Sequence, residues 1–183
     1  MKPWRRFSSE AQGTAGTGYL LVGEAPGARS LANDRRFSGP AGQLIRRALR
    51  QVGHPRYRDL EDLFYMTDVV KCHPAHPANP SANRAPRRSE MKACAGYLSQ
   101  ELAVLRPSVI LTFGKAAERS VVEAVEQDAA LKSHVRLMAF PHPSPRNQRT
   151  ILQAYPSMQA FERAVARTLR SLIVKLDKDQ RDA

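Results

Sequence analysis

Two short loops of this chain carry residue types that suit a binding site. The first, Gly23–Gly27, reads Gly-Glu-Ala-Pro-Gly and follows the apolar run Tyr19–Val22. The second, His142–Pro145, reads His-Pro-Ser-Pro and follows the run Val135–Phe140. If both runs are parallel strands of one sheet, both loops open at its carboxyl edge, where open α/β sheets bind ligands. Two rigid, polar loops at one edge indicate a site rather than a core.

The charge of the chain points to an anionic partner. Among 183 residues there are 29 Lys and Arg against 17 Asp and Glu, so the formal net charge is +12. Arginine is the commoner basic residue, and its guanidinium group matches phosphate oxygens in geometry. We therefore expect a nucleic-acid partner, although surplus positive charge by itself would also serve solubility.

Several classes of protein are disfavoured. No run approaches the ~18 apolar residues that a membrane span needs, and the segment Met1–Arg6 lacks the apolar core of a secretion signal. The two cysteines, Cys72 and Cys94, provide no disulfide framework. A small-nucleotide binder would carry a Gly-x-Gly-x-x-Gly fingerprint or a Walker loop, and the sequence has neither. We expect a cytoplasmic protein with no membrane partner.

Apolar runs and helical periodicity alternate along the chain. The strand candidates are residues 19–23, 64–70, 109–113 and 135–140, and the helix candidates are residues 42–52, 89–105, 114–125 and 155–176. This alternation predicts a single three-layer α/β/α domain with a central, mostly parallel four-stranded sheet. We expect that domain to span residues 19–176, after a flexible lead-in at 1–18 and before a frayed tail at 177–183. The polar stretches 28–37 and 73–88 are predicted loops.

Each loop alone is a weak signal, but four motifs occur in a specific order. They are Gly23–Gly27, Phe37–Gly42 (Phe-Ser-Gly-Pro-Ala-Gly), Thr67–Cys72 (Thr-Asp-Val-Val-Lys-Cys) and His142–Pro145. The set resembles the uracil-DNA glycosylase superfamily, and in particular its family-4 branch. In that branch the second motif reads Pro-Phe-Val-Gly-x-Ala-Gly and the third reads Thr-Asn-Val-Val-Lys-Cys. The resemblance spans residues 19 to 150 and also covers Cys94–Leu98 and Leu105–Ile110.

The resemblance implies an enzyme that flips a nucleotide out of the DNA stack and reads its base in a pocket. Phe37 would supply the aromatic face on which the base stacks; the alternative for Phe37 is an ordinary core residue. Gly27, Gly39 and Gly42 would let the backbone approach the DNA closely.

The resemblance also assigns the chemistry. Breaking the N-glycosidic bond leaves negative charge on the departing base, and His142 would donate a hydrogen bond to the base oxygen O2; a structural cap is the alternative. Ala25 would line the base site, where the best-known branch of the superfamily carries an Asp, so no carboxylate is available at that position. The neighbouring Glu24 would hold the attacking water, or would only cap the backbone.

The last motif and several arginines would contact DNA. Ser144 and Arg146 would grip the phosphates around the flipped nucleotide or probe the gap that it leaves, and Arg149 would add to this. Further arginines occur in neighbouring loops: Arg29, Arg35, Arg36, Arg84, Arg87 and Arg88. A solvated surface explains any one of them equally well, but as a cluster they suit phosphate contacts, which are numerous and interchangeable.

The cysteines depart from the family-4 pattern. Those enzymes carry four cysteines that hold an iron–sulfur cluster. Cys72 and Cys94 match the later pair, and residues 1–22 contain no counterpart of the earlier pair. None of the histidines His54, His73 and His76 stands where the missing pair would be. We therefore predict no iron–sulfur cluster and no other cofactor, with packing in its place.

Asp68 departs from the pattern too, because the family has a base-reading Asn at this position. An amide accepts from N3–H of uracil and donates to O4, whereas an ionised Asp68 would accept from N3–H and repel O4. Burial raises the pKa of a carboxyl, and a neutral Asp68 would donate to O4 of uracil or pair with cytosine. Asp68 would alternatively activate the water that Ala25 cannot, or cap a turn.

The sequence thus predicts a monomeric, monofunctional glycosylase that removes uracil from single- or double-stranded DNA without a metal, with Asp68, His142 and Glu24 as catalytic residues. The alternatives are a uracil-DNA binding or trapping protein, and a glycosylase for another deaminated base such as hypoxanthine. One trapping branch links to DNA through a His in an Arg-rich insertion after the first motif. Residues 28–37 hold no His, which argues against that route.

Overall fold

The computed structural model describes residues 13–182 of the chain. The strands are β1 (Tyr19–Gly23), β2 (Tyr65–Asp68), β3 (Ala75–His76), β4 (Asn79–Asn83), β5 (Val109–Phe113) and β6 (Arg136–Phe140). The helices are α1 (Ala28–Ala32), α2 (Pro40–Arg50), α3 (Leu60–Leu63), α4 (Arg88–Leu105), α5 (Lys115–Glu126), α6 (Ala129–Lys132), α7 (Gln148–Ala154) and α8 (Met158–Arg181). Among these helices none combines the length and the apolar character that crossing a membrane requires.

The central sheet is parallel and has the order β2–β1–β5–β6. Every residue of β1 and β5 is buried, because both strands lie inside the sheet and are covered on both faces. The chain leaves β1 for β2 on one side and later returns to β5 on the other side, so the strand order reverses at β1. Open α/β sheets bind ligands at such a point. The predicted α/β class and the mostly parallel four-stranded sheet are confirmed.

Alternate residues of β1 face two different helical layers. Tyr19 and Leu21 belong to a core that includes Ile45 of α2 and Phe161 of α8. Leu20 and Val22 belong to a second core, built with residues of α4 and α5 such as Leu98, Leu102, Val121 and Val125. The sheet therefore lies between two helical layers, and the ends of its strands remain open for a site.

Three segments differ from their predicted structure. The predicted loop 73–88 contains the antiparallel hairpin β3–β4, and the predicted loop 28–37 begins with the short helix α1. The last helix, α8, is separated from α7 and continues into the predicted tail as far as Arg181. Its end is held against the domain, because His54 Nε2 lies 3.0 Å from Asp177 Oδ2.

Residues 13–18, which fall within the predicted lead-in, are attached to the domain. The backbone N–H of Thr14 donates to the carbonyl oxygens of Glu61 and Phe64 at 3.1 and 3.2 Å. Residues 1–12 lie outside the described residues. The domain bounds given above therefore stay a prediction.

Arg46 is a buried arginine that ties α2 to the segment before it. Its guanidinium pairs with the carboxylates of Asp59 and Glu61, and its side chain is 1% exposed. It also donates to two backbone carbonyls, from Nη2 to Arg36 O at 2.9 Å and from Nε to Phe37 O at 3.2 Å. Burial raises the pKa of Glu61, but hydrogen bonds from Arg46 and Arg35 outweigh it and lower that pKa to about 2.

We expect Arg46→Met to lower the free energy of unfolding by about 1.5–3 kcal/mol, because it removes the charge-assisted hydrogen bonds of a buried guanidinium to two partly exposed carboxylates. Urea unfolding at pH 7 measures this. The matched control is Arg47→Met, which changes the next residue of α2, a half-exposed arginine paired with Glu162, and should cost less than about 1 kcal/mol. Equal losses in the two variants would contradict a special role for Arg46.

The difference in stability between wild type and Arg46→Met should also depend on pH. The pKa of Glu61 is depressed in the folded protein, from 4.5 to about 2. Its contribution to stability is therefore complete above the unfolded value and is lost as the pH falls through the folded value. The gap between the two proteins should narrow between pH 4.5 and pH 2, and a constant gap would show that Glu61 is not coupled to Arg46.

Candidate functional site

A pocket of about 480 Å³ opens at the carboxyl edge of the sheet. It is bounded by the loop after β1, the segment leading into α2, the end of β2, the chain after β4 and the loop after β6. The predicted site residues that line it are Glu24, Ala25, Gly27, Phe37, Gly39, Gly42, Asp68, Arg84, His142, Ser144 and Arg146. Arg149 lies on α7 with an exposed side chain and is not part of the lining. Residues of all four motifs thus line one pocket.

The loop after β1 is held in place from two sides. Gly23 lies opposite Asp68 in the register of β1 and β2, and the pairing continues past the strands, since Val69 N and Val70 N donate to the carbonyls of Gly23 and Glu24. The buried His73 lies with Nδ1 3.0 Å from Pro26 O. Because a carbonyl oxygen only accepts, Nδ1 carries the proton in this contact. No pattern in the sequence indicates this role of His73.

Glu24 places a half-buried carboxyl in the pocket. Burial, together with the negative charge of Asp68, raises the pKa of Glu24 above its usual value. A carboxyl with a raised pKa binds a proton more readily, which brings it closer to the range where a general base works near neutral pH. Ala25 lines the pocket beside it and offers no second carboxyl.

Phe37 adopts a left-handed backbone conformation, with φ of +53°, which is rare for a residue with a bulky side chain. Gly42 makes it possible, because a Cβ at residue 42 would clash with the backbone carbonyl of Phe37. The bond from Arg46 to that carbonyl fixes it from the other side. A Cβ at residue 23 would lie 3.1 Å from Phe37 Cζ, so the ring of Phe37 sits over the end of β1.

Asp68 ends β2 as a buried carboxylate paired with Arg36. Arg36 Nη1 contacts Asp68 Oδ2, and both side chains are 6% exposed. Burial raises the pKa of Asp68 above its usual value, and the charges of Arg36 and Lys71 oppose that rise. The other oxygen, Oδ1, lies against Gly23, because a Cβ there would clash with it.

Three arginines of the predicted DNA-facing cluster pair with acidic side chains of this chain. Arg36 is buried and paired with Asp68. Arg35 pairs with Asp59 and Glu61 at 2.8 and 2.7 Å. Arg84 donates to Glu90. A run of arginines in the sequence does not reveal these partners, because the acidic residues come from other parts of the chain. Five arginines counted for DNA keep exposed side chains: Arg29, Arg87, Arg88, Arg146 and Arg149.

His142 faces the pocket from the loop after β6. Gly114 allows this approach, because it has φ of +100° and a Cβ there would lie 3.2 Å from His142 Cβ. Asn147 Nδ2 donates to His142 O at 2.9 Å and fixes the loop. Burial lowers the pKa of His142 below its usual value, so the imidazole is neutral at pH 7. A neutral imidazole offers a single N–H donor without bringing a buried charge.

The β3–β4 hairpin closes one side of the pocket. The sequence predicted only a loop over residues 73–88. Asn83 Oδ1 accepts from Ala28 N at 2.9 Å, and Arg146 Nη1 donates to Asn83 O at 3.2 Å. The residue therefore links the loop after β1 to the loop after β6. The sequence signal was weak, since a Pro- and Asn-rich stretch is typical of loops and short hairpins alike.

The cysteines do not fit the four-cysteine cluster that the family-4 resemblance implies. The chain has two cysteines, Cys72 and Cys94, both free, and two thiolates cannot replace four. Burial raises the pKa of Cys72 and the proximity of Cys94 raises it further. Within residues 13–182, no group of three or more His, Cys, Asp or Glu side chains is placed to hold a metal ion.

Comparison with known proteins gives close relatives. The chain is similar to the type-4 uracil-DNA glycosylase of Pyrobaculum aerophilum, 36% identical over 126 residues that make up 69% of this chain and 59% of that protein. It is 35% identical over 106 residues to the type-4 uracil-DNA glycosylase of Thermotoga maritima, 58% of this chain and 50% of that one. The type-5 uracil-DNA glycosylase of Pyrobaculum aerophilum is 30% identical over 176 residues, 82% of this chain and 75% of that protein.

The chain spans between about half and three fifths of the length of these type-4 relatives. A family model described as the Uracil DNA glycosylase superfamily matches residues 11–170, which include all four motifs and the whole central sheet. The chain therefore belongs to the uracil DNA glycosylase superfamily.

Proposed function

We propose that this protein is a DNA glycosylase that hydrolyses the N-glycosidic bond of deoxyuridine in DNA and leaves an abasic site. One observation carries the proposal: a single pocket combines the ring of Phe37, the carboxylate of Asp68 and the neutral imidazole of His142. An aromatic face, a group that reads a base edge and a neutral donor are what a flipped base requires. Similar proteins bear the name uracil-DNA glycosylase.

The departing base is stabilised by His142. When the bond between the sugar and N1 breaks, the electron pair leaves with the base and negative charge develops on O2. A donor already placed at that oxygen stabilises the charge without reorganisation. The lowered pKa of His142 suits this role, because a neutral donor does not lose its proton to the base.

Glu24 orients the water that attacks the sugar carbon. Ala25 supplies no carboxylate, and Asp68 already pairs with Arg36. Among the described residues that line the pocket, Glu24 is therefore the carboxyl left for the water. Its raised pKa allows it to accept a proton from that water as the bond to the sugar forms. Asp68 acts on the base rather than on the water.

DNA approaches over the rim of the pocket. Gly27 and Gly39 bring backbone close to the DNA, while Ser144, Arg146 and Arg149 contact its phosphates. We propose a monomer that acts in the cytoplasm on single- or double-stranded DNA containing uracil. The reaction needs only water and the residues named, so we propose that it uses no cofactor.

We expect His142→Ala to reduce single-turnover release of uracil by about 100- to 1,000-fold, the usual effect of removing one donor to a developing oxyanion. The assay uses a labelled oligonucleotide with one uracil, followed by alkaline cleavage. The control, His134→Ala, changes an exposed histidine before β6 and should leave the rate unchanged. Tight DNA binding by wild type without release of any base would favour the binding protein over the enzyme.

We expect Glu24→Gln to reduce the same rate by about 100-fold or more, as loss of a general base does. In wild type the rate should fall as the pH drops through the pKa of Glu24, which lies above 4.5, because the protonated carboxyl no longer accepts a proton. In Glu24→Gln this acidic limb should disappear. A wild-type limb that persists in the variant would assign the pH dependence to another group.

We expect Arg146→Ala to weaken DNA binding at low salt and to reduce the slope of log Kd against log salt concentration by about 1, the loss of one phosphate contact. Fluorescence anisotropy with a labelled oligonucleotide measures both. Arg170→Ala, on the exposed side of α8, is the matched control and should leave the slope unchanged. An unchanged slope in Arg146→Ala would remove Arg146 from the DNA interface.

A further inference from the structure

We propose that the buried Arg36–Asp68 ion pair is the element that selects the base: Arg36 keeps Asp68 ionised and occupies Oδ2, so that Oδ1 offers only an acceptor to the base edge. This inference rests on the proposed function, since it concerns which base the same pocket takes. It assigns to Arg36 a role in specificity rather than in contacting DNA.

The two residues approach the pocket from different sides. Asp68 belongs to the lining of the pocket, whereas Arg36 does not. Arg36 therefore contacts the carboxylate from behind, at Oδ2. Oδ1 lies at the end of β1 against Gly23, close to the edge of the Phe37 ring. A base stacked on Phe37 would bring its own edge towards this oxygen.

The position of Arg36 is set by the backbone. Arg46 donates to the carbonyls of both Arg36 and Phe37, and the left-handed φ of Phe37 separates the two side chains. Phe37 consequently faces the pocket while Arg36 faces Asp68. Arg36 and Asp68 also stand at positions where the family-4 motifs quoted above have Pro and Asn, so two departures from the pattern are in direct contact.

The charge on Asp68 in the Arg36–Asp68 ion pair determines which base edge can bind to it. An ionised carboxylate has acceptors and no donor. Uracil presents N3–H, a donor, and is accepted; cytosine presents N3 as an acceptor and is repelled. A protonated Asp68 would reverse this preference at N3. Hypoxanthine, which presents N1–H, is also accepted at this point, so the pair selects bases with a ring N–H rather than uracil alone.

Within residues 13–182, Arg36 is the cation in direct contact with Asp68. The other charged groups that act on the Asp68 carboxyl are Lys71, which favours ionisation, and Glu101, which opposes it; Glu24 is coupled to it as well. Lys71 is itself paired with Glu101 at 2.6 Å, so its effect is largely compensated. Without Arg36, burial would raise the pKa of Asp68 further, and the carboxyl would become protonated at a higher pH.

The test compares wild type with Arg36→Gln and Arg36→Lys by two readouts. The first is binding of oligonucleotides that carry a non-cleavable 2′-fluorinated uracil or cytosine nucleotide, between pH 5.5 and pH 8.5. The second is single-turnover release of uracil over the same range. Thermal unfolding confirms that each variant is folded. Binding needs no bond cleavage, so it reports on base selection even in a protein that releases nothing.

We expect Arg36→Gln to lose at least about tenfold of the preference for uracil over cytosine, the effect of one mismatched buried hydrogen bond, with the loss growing as the pH falls. Arg36→Lys retains the charge but not the planar fork, and should bind more weakly with the pH dependence of wild type. If Arg36→Gln does not fold, the wild-type protein alone tests the proposal. An Asp68 that Arg36 keeps ionised must still prefer uracil over cytosine at pH 5.5.

Three results would overturn the inference: an unchanged preference in Arg36→Gln, an equal loss for both bases at every pH, or a wild-type preference that disappears at low pH. The experiment distinguishes failure of this inference from failure of the proposed function. A wild type that prefers uracil and releases none would keep the base-selecting role of the ion pair and exclude the enzyme. A wild type that releases uracil while Arg36→Gln keeps its preference would exclude only the role of Arg36.

Discussion

The candidate site depends on two buried arginines, Arg36 and Arg46. Arg46 fixes the backbone of residues 36 and 37, which lie before α2. Burying a guanidinium group is costly unless carboxylates and carbonyl oxygens surround it. Arg46 meets that condition with Asp59, Glu61 and two backbone carbonyls. Those carbonyls belong to Arg36 and Phe37, so the interactions that neutralise one buried charge also fix the backbone of the residues that shape the pocket.

The parallel sheet provides the second constraint. Gly23 lies opposite Asp68 because β1 and β2 are paired in the sheet. This pairing alone brings the loop after β1 next to the acid at the end of β2. Gly23 leaves room for both Asp68 Oδ1 and the Phe37 ring. A side chain at residue 23 would displace the Asp68 carboxylate and the Phe37 ring. The pocket therefore requires glycine at this position. Gly114 has a similar effect at β5, where it admits His142.

The electrostatics of the pocket are divided between its two ends. At one end burial keeps His142 neutral, so that it is a donor without charge. At the other end Arg36 compensates the carboxylate of Asp68. Glu24 lies between the loops with a raised pKa, partly because of the charge on Asp68. Under the proposed function, a base with one acceptor edge and one donor edge would fit between a neutral donor and an ionic acceptor, and the exposed arginines outside the pocket would contact the phosphates.

Much of the fold and most of the pocket lining followed from the sequence by itself. Nearly continuous apolar runs such as Val109–Phe113, in which Thr112 is the one polar residue, indicate strands that are covered on both faces. Motifs placed directly after those strands must meet at the carboxyl edge. Only the tertiary structure decided the partners of the arginines and the presence of the β3–β4 hairpin. Arg36 and Arg35 are adjacent and chemically identical in the sequence, yet one pairs with Asp68 and the other with Asp59 and Glu61. Which carboxylate an arginine meets depends on where distant segments pack, and local residue patterns do not contain that information.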